Sequence, residues 1–430
     1  MENSKPKKTV APRVDMPCQP AKVRRANFEE VALGYTKEMA KAEASRCLQC
    51  KKPLCVTGCP VEVPIRDFIH QVAEGNMDAA YRIIKTTNSL PAVCGRVCPQ
   101  EHQCEGKCVL KAKGQPVAIG RLERFVADTY IATTACEQVT GTNACALPLG
   151  AKKVACIGSG PSALTCAGVC ATAGIKVDVF EALHEPGGVL IYGIPAFRLP
   201  KNVVATEING LRQAGVDFHL NSVGGRTIDI ADLRKEYDAV FIGVGTYQGM
   251  QADLPNEDAD GVYSALPFLI GNTEDLMGYD NGNFVSMQGK RVVVLGGGDT
   301  AMDCVRTSIR QEAAEVICAY RRDADNMPGS RKEFQNAKEE GVEFKFNRQP
   351  IEIVGENGKV TGVKVVTTQL GEPDSRGRRS PEPIPGSEEI LPADAVLLAF
   401  GFRASPADWF DGVNINLDGS GRVVAAEQQE

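Results

Sequence analysis

Short apolar runs alternate with helix-forming stretches through the last two thirds of the 430-residue chain. In the first such unit, an apolar run over 154–157 is followed by a helical pattern over 162–173 and by a second apolar run over Lys176–Phe180. The same order of strand, helix and strand recurs over 291–320. Repeats of this kind build parallel sheets with helices on their faces. The pattern therefore predicts two dinucleotide-binding α/β domains.

The first third of the chain has a helical pattern instead. Helices are predicted over 37–46, 64–75, 78–86 and 116–131, and Pro and Gly residues make 47–60 and 91–108 irregular. Residues 1–35 are predicted as an arm, more often a solvated tail than a contact with a partner. A stretch rich in Thr, Ala and Gly, 133–150, is predicted as a linker. These features predict an all-α module ahead of the two α/β domains.

Cysteines are concentrated in that module. The chain has 16, and eight lie in its two irregular loops: Cys47, Cys50, Cys55 and Cys59 in the first, then Cys94, Cys98, Cys104 and Cys108 in the second. Clustered cysteines in a chain with no sign of export indicate metal binding rather than disulfides. The close spacings, with a proline after Cys59 and after Cys98, are typical of thiolates that bind two [4Fe–4S] clusters. The alternative is structural zinc, which also uses closely paired cysteines.

One carboxylate lies among the apolar positions of the last helix of the module. Glu123 shares a face with Ile119, Leu122 and Val126. A buried carboxylate must be paired or must bind metal. The two interpretations are a salt bridge to an arginine such as Arg96 or Arg121, and a ligand to a cluster.

Each predicted α/β domain begins with a glycine-rich turn between strand and helix. In the first, Gly158, Gly160 and Ala163 give the spacing that lets a pyrophosphate approach a helix N-terminus, and Glu181 follows the next strand, where an acid can hold a ribose hydroxyl. This motif predicts a dinucleotide site but does not separate FAD from NAD.

The second turn is Gly296-Gly-Gly298-Asp299-Thr300-Ala301. Its following strand ends in Arg321-Arg322, where the first unit has an acid. Guanidinium groups bind a 2′-phosphate, so this unit is predicted to bind NADP rather than NAD. A solvated arginine pair is the alternative.

Composition narrows the possible partners. The formal net charge is −6 and the pI is near 5.5, so no overall basic field attracts nucleic acid or an anionic membrane. The chain offers neither a signal-peptide pattern nor an apolar run long enough to span a bilayer. A cytoplasmic protein that binds neither nucleic acid nor membrane is predicted.

Several of these motifs together resemble a known family. The cysteine loops, the run 119–125, the two glycine turns and the segments 326–331 and 399–403 are similar to the small (beta) subunits of NADPH-dependent glutamate synthase. The helical module is also similar to the N-terminal part of dihydropyrimidine dehydrogenase and to the large subunit of NADH-dependent ferredoxin:NADP oxidoreductase. The resemblance covers nearly the whole chain.

The resemblance implies particular ligands. In the first assignment, one cluster is held by Cys47, Cys50, Cys55 and Cys108. The other is held by Cys59, Cys98, Cys104 and Glu123, and Cys94 binds neither. Spacing alone also allows a simpler assignment, in which one cluster is held by Cys94, Cys98, Cys104 and Cys108. The resemblance also implies FAD in the first nucleotide domain, with Glu181, Gly188, Leu190, Arg198 and Gly401 added to the turn residues. From sequence alone, Leu190 could equally be a core-packing residue, and Arg198 could equally be a solvated surface charge, rather than part of the FAD site.

The domain bounds follow from pattern and resemblance together. They are an arm 1–35, a helical iron–sulfur domain 36–132, a linker 133–150, a discontinuous FAD domain 151–285 and 400–430, and an inserted NADPH domain 286–399. Family members continue with a further strand, a flavin-contacting turn and a helix, so the FAD domain is expected to be incomplete.

The implied function is electron input. NADPH would reduce FAD, and two [4Fe–4S] clusters would pass electrons to a large (alpha) subunit that makes L-glutamate from L-glutamine and 2-oxoglutarate. No side chain is assigned as a catalytic acid, base or nucleophile. The alternatives are the large subunit of a ferredoxin:NADP oxidoreductase and a truncated, non-catalytic metal-binding module.

Overall fold

The computed structural model describes residues 11–137, 150–280, 282–373 and 379–425. The helical module comes first. Its helices are α1 Ala21–Arg24, α2 Lys37–Ala44, α3 Leu54–Thr57, α4 Ile65–Glu74, α5 Met77–Lys85, α6 Pro91–Val97 and α7 Ile119–Glu137, with 3₁₀ turns at Glu105–Lys107 and Val109–Lys113. The four predicted helices are confirmed, three of them within two residues at each end, whereas α7 starts three residues later and ends six residues later than predicted. The prediction of an irregular chain from 91 is wrong for α6, because Pro91 occupies the first turn of a helix, where its missing N–H costs nothing.

Part of the arm is packed against the rest of the chain, although residues such as Asp15 and Cys18 are exposed. Arg24 and Val31 are each only 3% exposed. The Val31 N–H donates to the Phe197 carbonyl in the following α/β unit at 3.0 Å. The prediction of a solvated tail is therefore wrong for the described part of the arm, which is tied down by contacts distant in sequence. Residues 1–10, like residues 138–149 of the predicted linker, lie outside the described residues.

The first α/β unit has a parallel four-stranded sheet. Its elements are β1 Lys153–Ile157, α8 Pro161–Thr172, β2 Lys176–Phe180, α9 Val189–Tyr192, α10 Lys201–Gln213, β3 Val216–His219, α11 Ile230–Glu236 and β4 Ala239–Ile242. The strand order is β3-β2-β1-β4. Helices cover both faces, so the central strands β1 and β2 are largely buried; Asp178 of β2 is the buried polar exception, and it hydrogen-bonds to His219 at 2.8 Å.

The second unit has a parallel five-stranded sheet in the order β5-β12-β6-β7-β8. Its elements are β5 Val262–Ser264, α12 Ala265–Leu276, β6 Arg291–Leu295, α13 Asp299–Arg310, β7 Glu315–Tyr320, α14 Arg331–Glu340, β8 Glu343–Phe346 and β12 Ala395–Leu398. The chain then returns to the first unit, where Trp409 packs against Gly225. The predicted insertion of one α/β domain in another is seen in this connectivity. Strand β5 and helix α12, over residues 262–276, belong to the second unit, although the NADPH domain was predicted to start at 286. The exact domain boundaries stay predictions.

An antiparallel sheet not anticipated from the sequence lies between β8 and β12. It comprises β9 Arg348–Glu356, β10 Lys359–Pro373 and β11 Arg379–Pro392, in the order β11-β10-β9. Its inner face, with Ile353, Val363 and Val365, covers the outer face of the second parallel sheet. Among the helices that the structure describes, none combines the length and apolar character needed to cross a membrane.

Candidate functional site: two nucleotide crevices and two cysteine groups

The first glycine turn forms the floor of a crevice of about 870 Å³ at the carboxyl end of β1. Gly158 has φ +94°, and a Cβ there would lie 2.5 Å from the Gly243 carbonyl oxygen. Gly160, by contrast, has nothing within 4 Å of such a position, so its backbone is open to a ligand. Ala163 is fully buried under the turn. This volume and open backbone fit a dinucleotide phosphate at the start of α8.

Glu181 lies at the end of β2 beside the turn, as the sequence predicts. Its carboxylate accepts hydrogen bonds from the Ser159 N–H at 2.9 Å, from the Ser159 hydroxyl and from the Leu183 N–H at 2.8 Å. The side chain also lines the crevice. Its bonds fix the carboxylate where a ribose would lie.

The other residues implied for the flavin site are divided by the structure. Gly188, with φ +54°, approaches Gly160 at the crevice. Leu190 is buried in the core, so core packing is what the structure shows for it. Arg198 does not line the crevice; its guanidinium binds the Asp303 carboxylate of α13 at 2.8 Å. The structure therefore gives Arg198 a role between the two α/β units.

The second glycine turn repeats the geometry of the first. Gly296 has φ +146°, and a Cβ there would overlap the Ala399 carbonyl oxygen, whereas Gly298 has open space. Ala301 is fully buried. Asp299 begins α13, and its carboxylate accepts from the Ser330 N–H at 3.0 Å.

Arg321 and Arg322 follow β7 at the same edge of the sheet. The described residues give neither side chain an ion pair, and Arg322 Nε is buried with no hydrogen-bond partner. The backbone is fixed, because the Arg321 carbonyl accepts from the Thr368 hydroxyl at 2.8 Å and the Arg322 carbonyl from the Asn347 N–H at 2.9 Å. Two unneutralised guanidinium groups on a rigid backbone fit a 2′-phosphate.

The two crevices meet at three residues. Tyr247, Leu266 and Phe402 line both the large flavin-side crevice and a narrow cavity of about 70 Å³ that contains Thr300 and Gly401. The sequence prediction missed all three, and also Trp409, which lines the first crevice. A strand followed by the glycines of Gly243-Val-Gly245 was the available signal for Tyr247. Phe402 and Leu266 reach the site only through tertiary folding.

Four of the predicted metal ligands surround one small cavity in the helical module. Cys47, Cys50, Cys55 and Cys108 line it. Burial, together with the neighbouring Cys108 and Cys47 thiols, raises the pKa of Cys55 to about 11. Cys108 thus lies with the first cysteine loop rather than with its sequence neighbours, because the 3₁₀ turn at Glu105–Lys107 packs against α3.

The second group contains Glu123. Burial, and to a smaller extent the nearby Cys98 thiol, raises the pKa of this carboxyl to about 8. Cys104 lies close enough to interact electrostatically with both Glu123 and Cys59. Asn88 Nδ2 donates to Glu123 Oε1 at 2.8 Å. The Cys94 thiol, on the same side, hydrogen-bonds to Asn88 Oδ1 at 3.5 Å and interacts with Cys98.

The salt bridge considered for Glu123 is not found. Within the described part of the chain no cation pairs with it. Arg96 instead binds Glu30 and Asp128, and Arg121 donates to the Val14 carbonyl at 2.9 Å. The buried Glu123 carboxyl therefore has the Asn88 amide as a donor but no cation, and an iron of a cluster would supply one.

Both groups of side chains fit clusters better than single ions. Each of the four irons of a [4Fe–4S] cluster takes one ligand, so the ligands stand further apart than around one tetrahedral zinc. Among the described residues, no three His, Cys, Asp or Glu side chains converge on a single ion. The division of ligands between two clusters stays a prediction.

Comparison with known proteins identifies both halves of the chain. A family model described as dihydropyrimidine dehydrogenase domain II, 4Fe-4S cluster, matches residues 24–135, and one described as pyridine nucleotide-disulphide oxidoreductase matches residues 152–430. The glutamate synthase (NADPH) small chain of Escherichia coli strain K12 is 51% identical over 419 residues, which are 96% of this chain and 88% of that one. The corresponding chain of Halomonas elongata is 49% identical over 421 residues, 97% of this chain and 87% of that one. The solved structure of Mycobacterium tuberculosis FprA in complex with NADPH has a TM-score of 0.52 at 22% identity over 62% of this chain and 73% of that one, and shares the fold.

Proposed function

Since the chain belongs to the family of glutamate synthase (NADPH) small chains, we propose that it is the electron-input subunit of such an enzyme. It is an NADPH-dependent oxidoreductase with sites for FAD, NADP(H) and two [4Fe–4S] clusters. A bound flavin supplies the conversion between a two-electron hydride and the single electrons that iron–sulfur clusters carry.

One observation carries the proposal. The two nucleotide crevices meet at Tyr247, Leu266 and Phe402, so ligands in both would come together at one point. Leu266 is only 7% exposed and Phe402 presents an aromatic ring there. Tyr247 and Phe402 are partly open to solvent in the chain without nucleotides, and bound nucleotides would cover them. Hydride exchange at such an apolar point needs no acid or base from a side chain.

The residues that would hold each group follow from the geometry. The turn from Gly158 to Ala163, together with Glu181, would hold the FAD pyrophosphate and ribose. The turn Gly296–Ala301 would hold the pyrophosphate of NADPH, with Arg321 and Arg322 at its 2′-phosphate. The two cysteine groups, one completed by Glu123, would hold the clusters.

A larger partner completes the proposed reaction. The family implies an alpha subunit that converts L-glutamine and 2-oxoglutarate to L-glutamate. Nothing in the described residues supplies a glutaminase site, so this chain alone would be an NADPH:acceptor oxidoreductase. We also propose a cytoplasmic location, because clustered metal-binding thiols suit a reducing compartment.

The test is an anaerobic absorption spectrum of the purified full chain, with iron and flavin content, before and after NADPH. About eight irons and one flavin per chain, with flavin bleaching on addition of NADPH, are expected. Cys47→Ser should lower iron by about four per chain. Cys18→Ser, at an exposed cysteine outside both groups, is the control and should leave iron unchanged. Zinc in place of iron, or a flavin that NADPH does not bleach, contradicts the proposal.

Co-purification separates the remaining alternative. A glutamate-forming large subunit bound to this chain supports the glutamate synthase assignment. A small ferredoxin–NAD flavoprotein bound instead would assign the chain to a ferredoxin:NADP oxidoreductase.

A further inference from the structure

A polar cavity of about 460 Å³ lies where the helical module meets both α/β units. The arm contributes Arg13, α7 contributes Arg121 and Arg124, and α14 contributes Lys332 and Asn336. The segment around Cys98 forms another wall. Cys98 and Asp299, proposed above for a cluster and for NADPH, lie at its edge, but no ligand has been assigned to the space itself, called here the junction cavity.

Lys332 and Asn336 are four residues apart on α14 and therefore share one face of the helix. Asn336 is only 7% exposed, yet its Nδ2 has no hydrogen-bond partner. Lys332 remains accessible through the cavity, and the described residues give its ammonium neither a hydrogen bond nor an ion pair. A buried amide donor and a free cation thus point into the same space.

Cations on the opposite wall face Lys332. Burial lowers the pKa of Lys332, the adjacent Glu333 and Cys18 raise it, and the guanidinium groups of Arg121 and Arg124 on the opposite wall lower it by a smaller amount. Arg121 has no carboxylate partner among the described residues and donates to the Val14 carbonyl. Arg13 Nε, on the arm, is buried with no acceptor. Like charges that face each other across an interface destabilise it unless an anion lies between them.

Three carboxylates in the cavity wall are held by arginines, and two others accept backbone N–H groups, which leave their charge in place. Glu30 is bound by Arg96 and Arg124, Glu105 by Arg13 Nη2, and Glu333 by Arg306. Glu101 accepts from the Arg331 N–H, and Asp299 from the Ser330 N–H. Asp15 is exposed at the rim. The protein therefore leaves Lys332, Asn336 Nδ2 and Arg13 Nε as spare donors.

We propose that the junction cavity binds a small oxyanion, a phosphate or a carboxylate, between Lys332 and Asn336 on one wall and Arg121 on the other. The anion would bridge the iron–sulfur module to the NADPH-binding unit. Its binding would strengthen an interface that like charges otherwise weaken.

Thermal unfolding of the full chain at constant ionic strength tests the proposal, with chloride replaced stepwise by inorganic phosphate or by succinate. Saturating NADP⁺ is present throughout, so that the proposed 2′-phosphate site is already filled. The melting temperature should rise saturably with at least one of the two anions, as for any ligand that binds only the folded state. Phosphate and succinate together distinguish a tetrahedral from a carboxylate ligand.

Lys332→Gln provides the decisive comparison. It should raise the midpoint concentration of the anion effect at least about tenfold, equivalent to about 1.4 kcal/mol. Lys338→Gln makes the same charge change at an exposed position of the same helix and should leave this midpoint unchanged. Retained flavin content confirms that each variant is folded.

Two results would overturn the proposal. One is a melting temperature that neither anion raises beyond chloride. The other is an anion effect that is equal in wild type, Lys332→Gln and Lys338→Gln, which would make it a general salt effect. Neither result bears on reduction of the flavin by NADPH, so the proposed function is tested separately.

Discussion

The two helices that follow the glycine turns, α8 and α13, begin alike and then differ. Helix α8 buries Ala163, Leu164 and Ala167 along one face, whereas Val169 on its other face is 59% exposed. Helix α13 is buried all round from Ala301 to Arg310, although it contains Asp303, Arg306 and Arg310. The same type of glycine turn thus precedes a helix with one exposed face in the first unit and a fully buried helix with charged residues in the second.

The charges of α13 explain its position. Arg306 and Arg310 both bind Glu340 of α14, and Arg24 of the arm binds the same carboxylate at 2.9 Å. The Phe197 ring lies against both guanidinium groups, 4.6 Å from that of Arg306 and 4.0 Å from that of Arg310. Asp303 takes Arg198 from the first unit. The glycine turn before α13 forms the nucleotide site, while the charged residues of the helix bind the arm, α14 and the first α/β unit.

The largest expected loss of folding free energy is at Glu340, whose carboxylate binds the buried arginines that α13 has and α8 lacks. Glu340→Gln leaves three buried arginines around a neutral group, and removal of one partner of a buried ion pair typically costs about 3–5 kcal/mol of folding free energy. Chemical denaturation measures it. Glu339→Gln is the control, because that side chain is 43% exposed and its ion pair with Arg24 should contribute less than about 1 kcal/mol. Equal losses would show that the enclosed network has no special weight.

Acid should remove the same contribution. The neighbouring arginines lower the pKa of Glu340 from 4.5 to about 2 despite its burial. A lowered carboxyl pKa stabilises the fold fully above the unfolded value and loses this effect as pH falls through the folded value. The gap in unfolding free energy between wild type and Glu340→Gln should therefore shrink by about 3 kcal/mol between pH 6 and pH 2. A gap that stays constant over this range would contradict the assignment.

The glycine turns themselves should behave alike in both units. Gly158→Ala and Gly296→Ala place a Cβ against a carbonyl oxygen at positive φ, and each should lower the unfolding free energy by about 2–3 kcal/mol. The matched variants Gly160→Ala and Gly298→Ala add a methyl group in open space and should cost less than about 1 kcal/mol. A reversed order of the two members of either pair would contradict the placement of the turns.

The smallest expected effect concerns nucleotide choice. Arg321→Gln with Arg322→Gln should raise the KM for NADPH about 10- to 100-fold and leave the KM for NADH nearly unchanged, since charged hydrogen bonds to the 2′-phosphate are lost. Steady-state kinetics with both nucleotides measures this split. Arg212→Gln, at an exposed arginine of the first unit, is the control. An equal rise with both nucleotides would place the pair outside the 2′-phosphate site.

The sequence predicted the parts that local patterns determine. The strands Lys176–Phe180 and Arg291–Leu295 were predicted to the residue, because each is a short segment rich in β-branched residues next to a glycine that ends or begins a helix–strand connection. The three-residue β5 is too short to have a period, and β9, β10 and β11 are interrupted by Pro and Gly. Arg198 was misplaced because its partner, Asp303, lies 105 residues further along the chain.

The shared carboxylate of Glu340 has a consequence for synthesis of the chain. Arg24 leaves the ribosome 316 residues before its partner. At about 5–20 residues per second, the arm waits roughly 15–60 s for the acid that fixes it. During that time the helical module, with its eight clustered cysteines, is exposed to solvent on the side that α14 later covers. The time for which this side of the module stays accessible is therefore set by the rate of translation, and it ends when α14 packs against the arm.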